Sequence, residues 1–136
     1  MNEPVWVLPE LVRALHQTLI AEHGGLPGVR DPALLDSALA RPRQKYAYDT
    51  DVSVFELAAA YSYGLARNHA FTDGNKRVAL VVAAVFLELN GYSLDAPEAD
   101  AVIMFEQLAA GAATEEVFGL WIEQASISLE FNPNSR

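Results

Sequence analysis

His69-Ala-Phe-Thr-Asp-Gly-Asn-Lys-Arg77 runs straight into an apolar stretch, Val78 to Leu87. The first part brings together an imidazole, a carboxylate, a glycine, an amide and two cations. The second part is valine-rich, which admits a buried strand. Its length, its alanines and the Asn90-Gly91 stop decide for a helix beginning near Gly74 or Asn75. A helix apolar on every side belongs at the centre of a bundle, fully buried. The polar residues then form a loop at its N-terminal mouth. Helix N-termini expose unpaired N–H groups and carry partial positive charge, so they bind phosphate.

Working outward, the chain reads as helical almost throughout. Pro9 to about Glu22 spaces Leu11, Val12, Leu15, Leu19 and Ile20 along one face, and Gly24-Gly25 ends it. Asp31-Pro32 starts a second helix, with an Asx cap and a proline at the first helical position. Leu34, Leu35, Ala38 and Leu39 line it, and Pro42 is expected to terminate it. Arg41 to Asp51 then reads as a polar connection bearing tyrosines. Ser53-Val-Phe-Glu56 is a capping box that opens a helix to about Asn68. Pro97 to about Ala110 and Thr114 to about Ala125 supply two more, with Thr114 as a cap and Glu115 and Glu116 suiting a positive helix end. Val5-Trp6-Val7 reads as a short extended segment and 127–136 as a tail. The fold class is all-α, a compact bundle of about six helices in one domain over residues 1–136.

Composition narrows the function. Apolar residues make up 51% of 136, enough for a real core, and there is no cysteine, which excludes disulfides and thiolate metal sites and fits a reducing compartment. The expected location is the cytoplasm. The N-terminus lacks a signal-peptide pattern, and the longest apolar run is about half the ~20 residues of a membrane span. Net charge is −9, which repels polynucleotides unless the cations cluster. Six of the nine Lys and Arg fall in a restricted part of the chain, at Arg41, Arg43, Lys45, Arg67, Lys76 and Arg77. A positive spot on an acidic body suits a small anion such as a nucleotide. The nine carboxylates beyond Arg77 read as solvated surface.

In the loop, histidine is the side chain whose ordinary ionisation lies nearest neutrality, so His69 is the candidate general base. His16 and His23 lack polar company in sequence and read as structural. Phe71 reads as the anchor that pins the loop. Asp73 suits Mg²⁺, which takes one or two carboxylates plus phosphate oxygens, or equally a helix N-cap. Gly74 lets backbone approach a ligand closely, and Asn75 offers an amide to phosphate oxygens. Lys76 and Arg77 lie at a helix end that disfavours cations, a conflict that a bound polyanion resolves.

These residues resemble the core motif of the Fic/Doc family in its Doc (death-on-curing) form. Fic nucleotidyl transferases carry glycine where this chain has Lys76 and arginine where it has Leu80. Gly28 to Pro42 and Phe55 to Ala58 are similar to the flanking Doc-type segments. The resemblance implies a toxin of a toxin–antitoxin pair. It would be a kinase that moves the γ-phosphate of ATP, with Mg²⁺, to a threonine of elongation factor Tu and so halts translation. His69 would be the base, and Asp73 would place metal and loop. Gly74, Asn75, Lys76 and Arg77 would hold phosphates, with Lys76 filling the pocket that a glycine leaves open. Arg43, Gln44, Lys45, Tyr46, Ala47 and Tyr48 would form a flap docking the target backbone as an added strand. Inhibition would come in trans from an antitoxin that folds on binding, because Ser126-x-x-x-Glu130-Phe131 departs from the family's inhibitory motif. Neither nucleic acid nor membrane is an expected partner. AMP transfer and a non-catalytic anion-binding role remain the alternatives.

Overall fold

The computed structural model describes residues 2–129. Six helices and a two-stranded antiparallel ribbon follow in the order α1 (Pro9–His23), α2 (Pro32–Tyr48), α3 (Val54–Asn68), α4 (Asn75–Leu89), β1 (Tyr92–Leu94), α5 (Glu98–Ala110), α6 (Glu115–Ala125) and β2 (Ser126–Ser128). The caps fall where the sequence puts them. The Asp31 carboxylate accepts from the Leu34 N–H at 3.1 Å, the Ser53 hydroxyl from Glu56 at 3.1 Å and the Thr114 hydroxyl from Val117 at 3.1 Å. Each satisfies an N–H that the first helical turn leaves open. α4 ends at Asn90, and Gly91 follows with φ 93°. The Asn90 amide also bonds both backbone groups of Val5, at 2.8 and 2.9 Å, and so clips the extended N-terminal segment to the end of α4.

α3 shares the centre with α4. Ten of its residues are buried, Val54 and Leu57–Ser62 among them, against six in α4. Small side chains let its neighbours come close. A Cβ added at Gly64 would lie 3.0 Å from the Ala38 Cα, so α2 crosses α3 almost backbone to backbone. The Ser62 hydroxyl donates to the Ala79 carbonyl at 3.0 Å and joins α3 to α4. At one end Tyr61 and Trp6 pack on Phe86, with centroids 5.1 and 6.0 Å away. Burial raises the pKa of Tyr61, partly offset by the Val7 N–H bonded to its oxygen and by Arg43. Elsewhere in the core Phe105 meets Phe118 and Trp121 edge-on, while Phe118 and Trp121 are tilted against each other.

Four sequence expectations are corrected. First, α4 is not fully buried. Leu80, Val81, Ala84 and Val85 are half-buried and Leu89 is exposed; Leu80 lines a cavity, and Leu89 is the last residue of the helix. Second, Pro42 does not end α2, which continues for six residues to Tyr48. A proline inside a helix removes one hydrogen bond and crowds the preceding turn. Tertiary contacts on both sides of Pro42 compensate. Arg41 donates to Glu115 Oε1 through Nε (2.8 Å) and Nη2 (2.6 Å), and Lys45 donates to Oε2 at 2.6 Å. Tyr46 meets Trp6 edge-on and Arg43 lies over the Trp6 ring.

Third, Glu115 is not solvated surface. It is 7% exposed and held by those two cations. Fourth, Ile127 and Ser128 are not tail. Ser126–Ser128 pairs with β1 in the register Tyr92↔Ser128, Ser93↔Ile127, Leu94↔Ser126. Residues 130–136, including Glu130 and Phe131, lie outside the described residues. No helix among the described residues is long and apolar enough to cross a membrane.

Candidate active site

The loop between α3 and α4 is built on unusual backbone. α3 ends at His69 in the left-handed region, φ 51° and ψ 46°. A side chain in that region costs roughly 1–2 kcal/mol, so neighbouring contacts must hold it there. They come from the segment before α2. Arg30 Nε donates to the His69 carbonyl at 2.8 Å. The Ala70 carbonyl accepts from the Arg30 and Asp31 N–H groups at 2.8 and 3.0 Å, and Thr72 N–H donates to Gly28 at 3.1 Å. Val29 and Phe71 thus form an antiparallel bridge. Together these bonds turn the exposed His69 ring outward while Ala70 and Phe71 go into the core.

Phe71 is 1% exposed and stacks on His16, centroids 3.9 Å apart. His16 is itself 2% exposed, and its Nε2 lies 2.8 Å from the Asp73 carbonyl oxygen. A carbonyl only accepts, so Nε2 carries the proton. Asn75 closes the loop from the other side. Its Oδ1 accepts from the Phe71 N–H at 3.1 Å and its Nδ2 donates to the Phe71 carbonyl at 3.0 Å. The Asn75 amide therefore has a structural task, with one N–H left over. Asp73 does not cap α4 in the usual way, because Gly74 is the N-cap, with φ 77° and no side-chain bond. The Asp73 carboxylate accepts from Gly74 N–H at 2.9 Å and from Leu26 N–H at 3.2 Å, which ties in the turn after α1.

A cavity of about 770 Å³ opens above this loop. One wall carries His69, Asp73, Gly74, Asn75, Lys76 and Arg77. The first turn of α4 has no acidic residue, and Lys76 and Arg77 make no ion pair among the described residues. A base, a carboxylate, the positive end of a helix and two unpaired cations thus face one space. This arrangement can bind a polyanion and accept a proton beside it. Among the described residues no three His, Cys, Asp or Glu converge as a metal cage. A metal shared with phosphate oxygens needs only one or two carboxylates, and Asp73 keeps lone pairs beyond its two N–H bonds.

A family model described as the Fic/DOC family matches residues 6–87. The chain belongs to the Fic/Doc family. It is 39% identical over 112 residues to "Protein kinase doc" of Escherichia phage P1, covering 82% of this chain and 84% of that one. It is 49% identical over 74 residues to "Toxin Doc" of Mycolicibacterium smegmatis, covering 54% of this chain and 57% of that one. The family match spans the loop, all of α3, α4 as far as Leu87 and the segment that bridges to the loop.

The six loop residues singled out in sequence all line the one cavity. Arg43, Gln44, Lys45, Tyr46, Ala47 and Tyr48 do not; they are the last turns of α2. A helix satisfies its backbone internally, so this segment offers no strand edge for a target to pair with. The cations do not form one spot either. Arg41 and Lys45 hold Glu115, Arg41 and Arg67 lie over Tyr63, and Arg43 covers Trp6. Sequence reading missed His16 and Arg30, whose bonds span 57 and 39 positions, and the α5 wall, which reads in sequence as ordinary core spacing.

Proposed function

We propose that the protein is the toxin of a bacterial toxin–antitoxin module. In this reading it is a kinase that transfers the γ-phosphate of ATP to a hydroxyl side chain of a protein. By the family resemblance the acceptor is a threonine of elongation factor Tu, and the outcome is arrest of translation in the cytoplasm. The observation that carries the reading is the sharing of one cavity by His69 and the cationic first turn of α4. The kinase and toxin names of the two Doc relatives point the same way.

The phosphates settle on the open N–H groups at the start of α4, with Gly74 allowing close approach. Lys76 and Arg77 neutralise them, which also removes the charge conflict at that helix end. His69 takes the proton of the incoming hydroxyl. The hydroxyl oxygen forms the bond to the γ-phosphorus, the bond to the β–γ bridging oxygen breaks, and ADP leaves. Phosphoryl transfer asks mainly for positioning and charge neutralisation, which a loop held by so many backbone bonds supplies. Asp73 is the residue to hold Mg²⁺ with the phosphate oxygens, and the metal would add charge neutralisation there. A cognate antitoxin inhibits in trans, its segment folding on binding.

The test uses ATP labelled at either the α or the γ position, with purified protein and elongation factor Tu. γ-Label on the target, reduced by about 100-fold or more in His69→Ala, is the expected result. α-Label on the target would establish AMP transfer instead. A cellular arrest that survives His69→Ala would establish a non-catalytic module.

A further inference from the structure

Phosphate chemistry leaves the second wall of the cavity unexplained. α5 turns Ala101, Val102, Phe105 and Ala109 toward the space, at the spacing of one helix face. Glu106 stands among them, exposed and lining the same cavity. Among the described residues its side chain makes no hydrogen bond or ion pair, although Lys76 and Arg77 line the same cavity. An ionised carboxylate is only an acceptor and repels phosphate. It therefore belongs with a neutral, donor-bearing part of the ligand, and the apolar residues around it belong with a flat apolar part.

We propose that α5 forms the nucleoside subsite and that Glu106 selects ribose by accepting from its 2′- and 3′-hydroxyls, while the accessible Val102 and Ala109 cover the base. This rests on the nucleotide reading above. The diol fits better than a base edge. It presents two donors side by side to two carboxylate oxygens, whereas adenine places an acceptor beside its amino donor, and that acceptor would face the carboxylate. Acidic side chains read ribose hydroxyls in the same way in dinucleotide-binding folds. With both oxygens accepting from neutral donors, each bond is charge-assisted and strong enough to discriminate.

Titration calorimetry on the full chain tests this. The His69→Ala background prevents turnover, and ATP is compared with 2′,3′-dideoxy-ATP, each with and without Mg²⁺. ATP is expected to bind at least about ten-fold more tightly than the dideoxy nucleotide. Glu106→Ala is expected to erase the difference by weakening ATP alone, and Glu106→Gln to retain part of it. The proposal is overturned if Glu106→Ala keeps the preference. It is also overturned if that variant tightens both nucleotides, the mark of a merely repulsive charge. A third overturning result is equal weakening of both, only when Mg²⁺ is present, the mark of a metal ligand. If the parent takes both nucleotides equally, ribose selection fails and the nucleotide site stands. If it takes neither, both readings fail. Glu106 is exposed on α5, so neither substitution removes core packing.

Discussion

His16 shows how much a single side chain outside the motif can decide. Its ring stacks on Phe71, and its Nε2 proton fixes the Asp73 carbonyl two residues before α4 begins. Removing the donor while keeping the ring separates the two jobs. In His16→Phe the Asp73 carbonyl loses its partner at the base of the loop, which costs roughly 1–3 kcal/mol. We expect His16→Phe to remain folded, with phosphate transfer reduced by about ten-fold or more, and His16→Gln to recover part of the rate through its amide donor. Initial rates and urea denaturation on the three proteins check this. Parental rates in His16→Phe would show that stacking alone sets the loop. His16 reads as structural in sequence, and it is buried; what the sequence hid is that it supports the candidate site loop.

At the scale of elements, α2 and α6 are joined by one buried carboxylate between two partly exposed cations. Side-chain exposure is 8% for Glu115 against 46% for Arg41 and 30% for Lys45. The asymmetry predicts an order of effects. With Glu115→Ala the cations can swing to water, and the loss is expected to be roughly 1–2 kcal/mol. With Arg41→Met and Lys45→Met together, the carboxylate stays behind without partners, and the loss is expected to exceed that of Glu115→Ala. Urea midpoints rank the variants, and the reverse ranking would contradict this account. The same bridge explains why Pro42 misleads. A local steric rule stops the helix there, and contacts to residues some 70 positions away carry it on.

Across the whole molecule, a net charge of −9 surrounds a small positive site. Lys76 and Arg77 serve the cavity, while Arg41, Arg43, Lys45 and Arg67 are engaged elsewhere with a carboxylate or aromatic rings. Among the described residues, these six cations form no continuous track that could follow a nucleic acid backbone. We expect no mobility shift of duplex DNA or RNA at roughly 10 μM protein and physiological salt. A shift that weakens with added salt would show that the cations act together after all.

The sequence by itself determined the helices, their caps and the site loop, because these depend on interactions within a few residues. Asp31, Ser53 and Thr114 cap the helices that follow them, and the polar run before α4 meets its own helix end. Only the tertiary structure decided what depends on distant partners. It set α2 passing through Pro42, Glu115 buried, 126–128 paired with β1, and α5 lining one cavity with the loop. Periodicity reveals which face of a helix is apolar. It does not reveal whether that face meets another helix or lines a cavity.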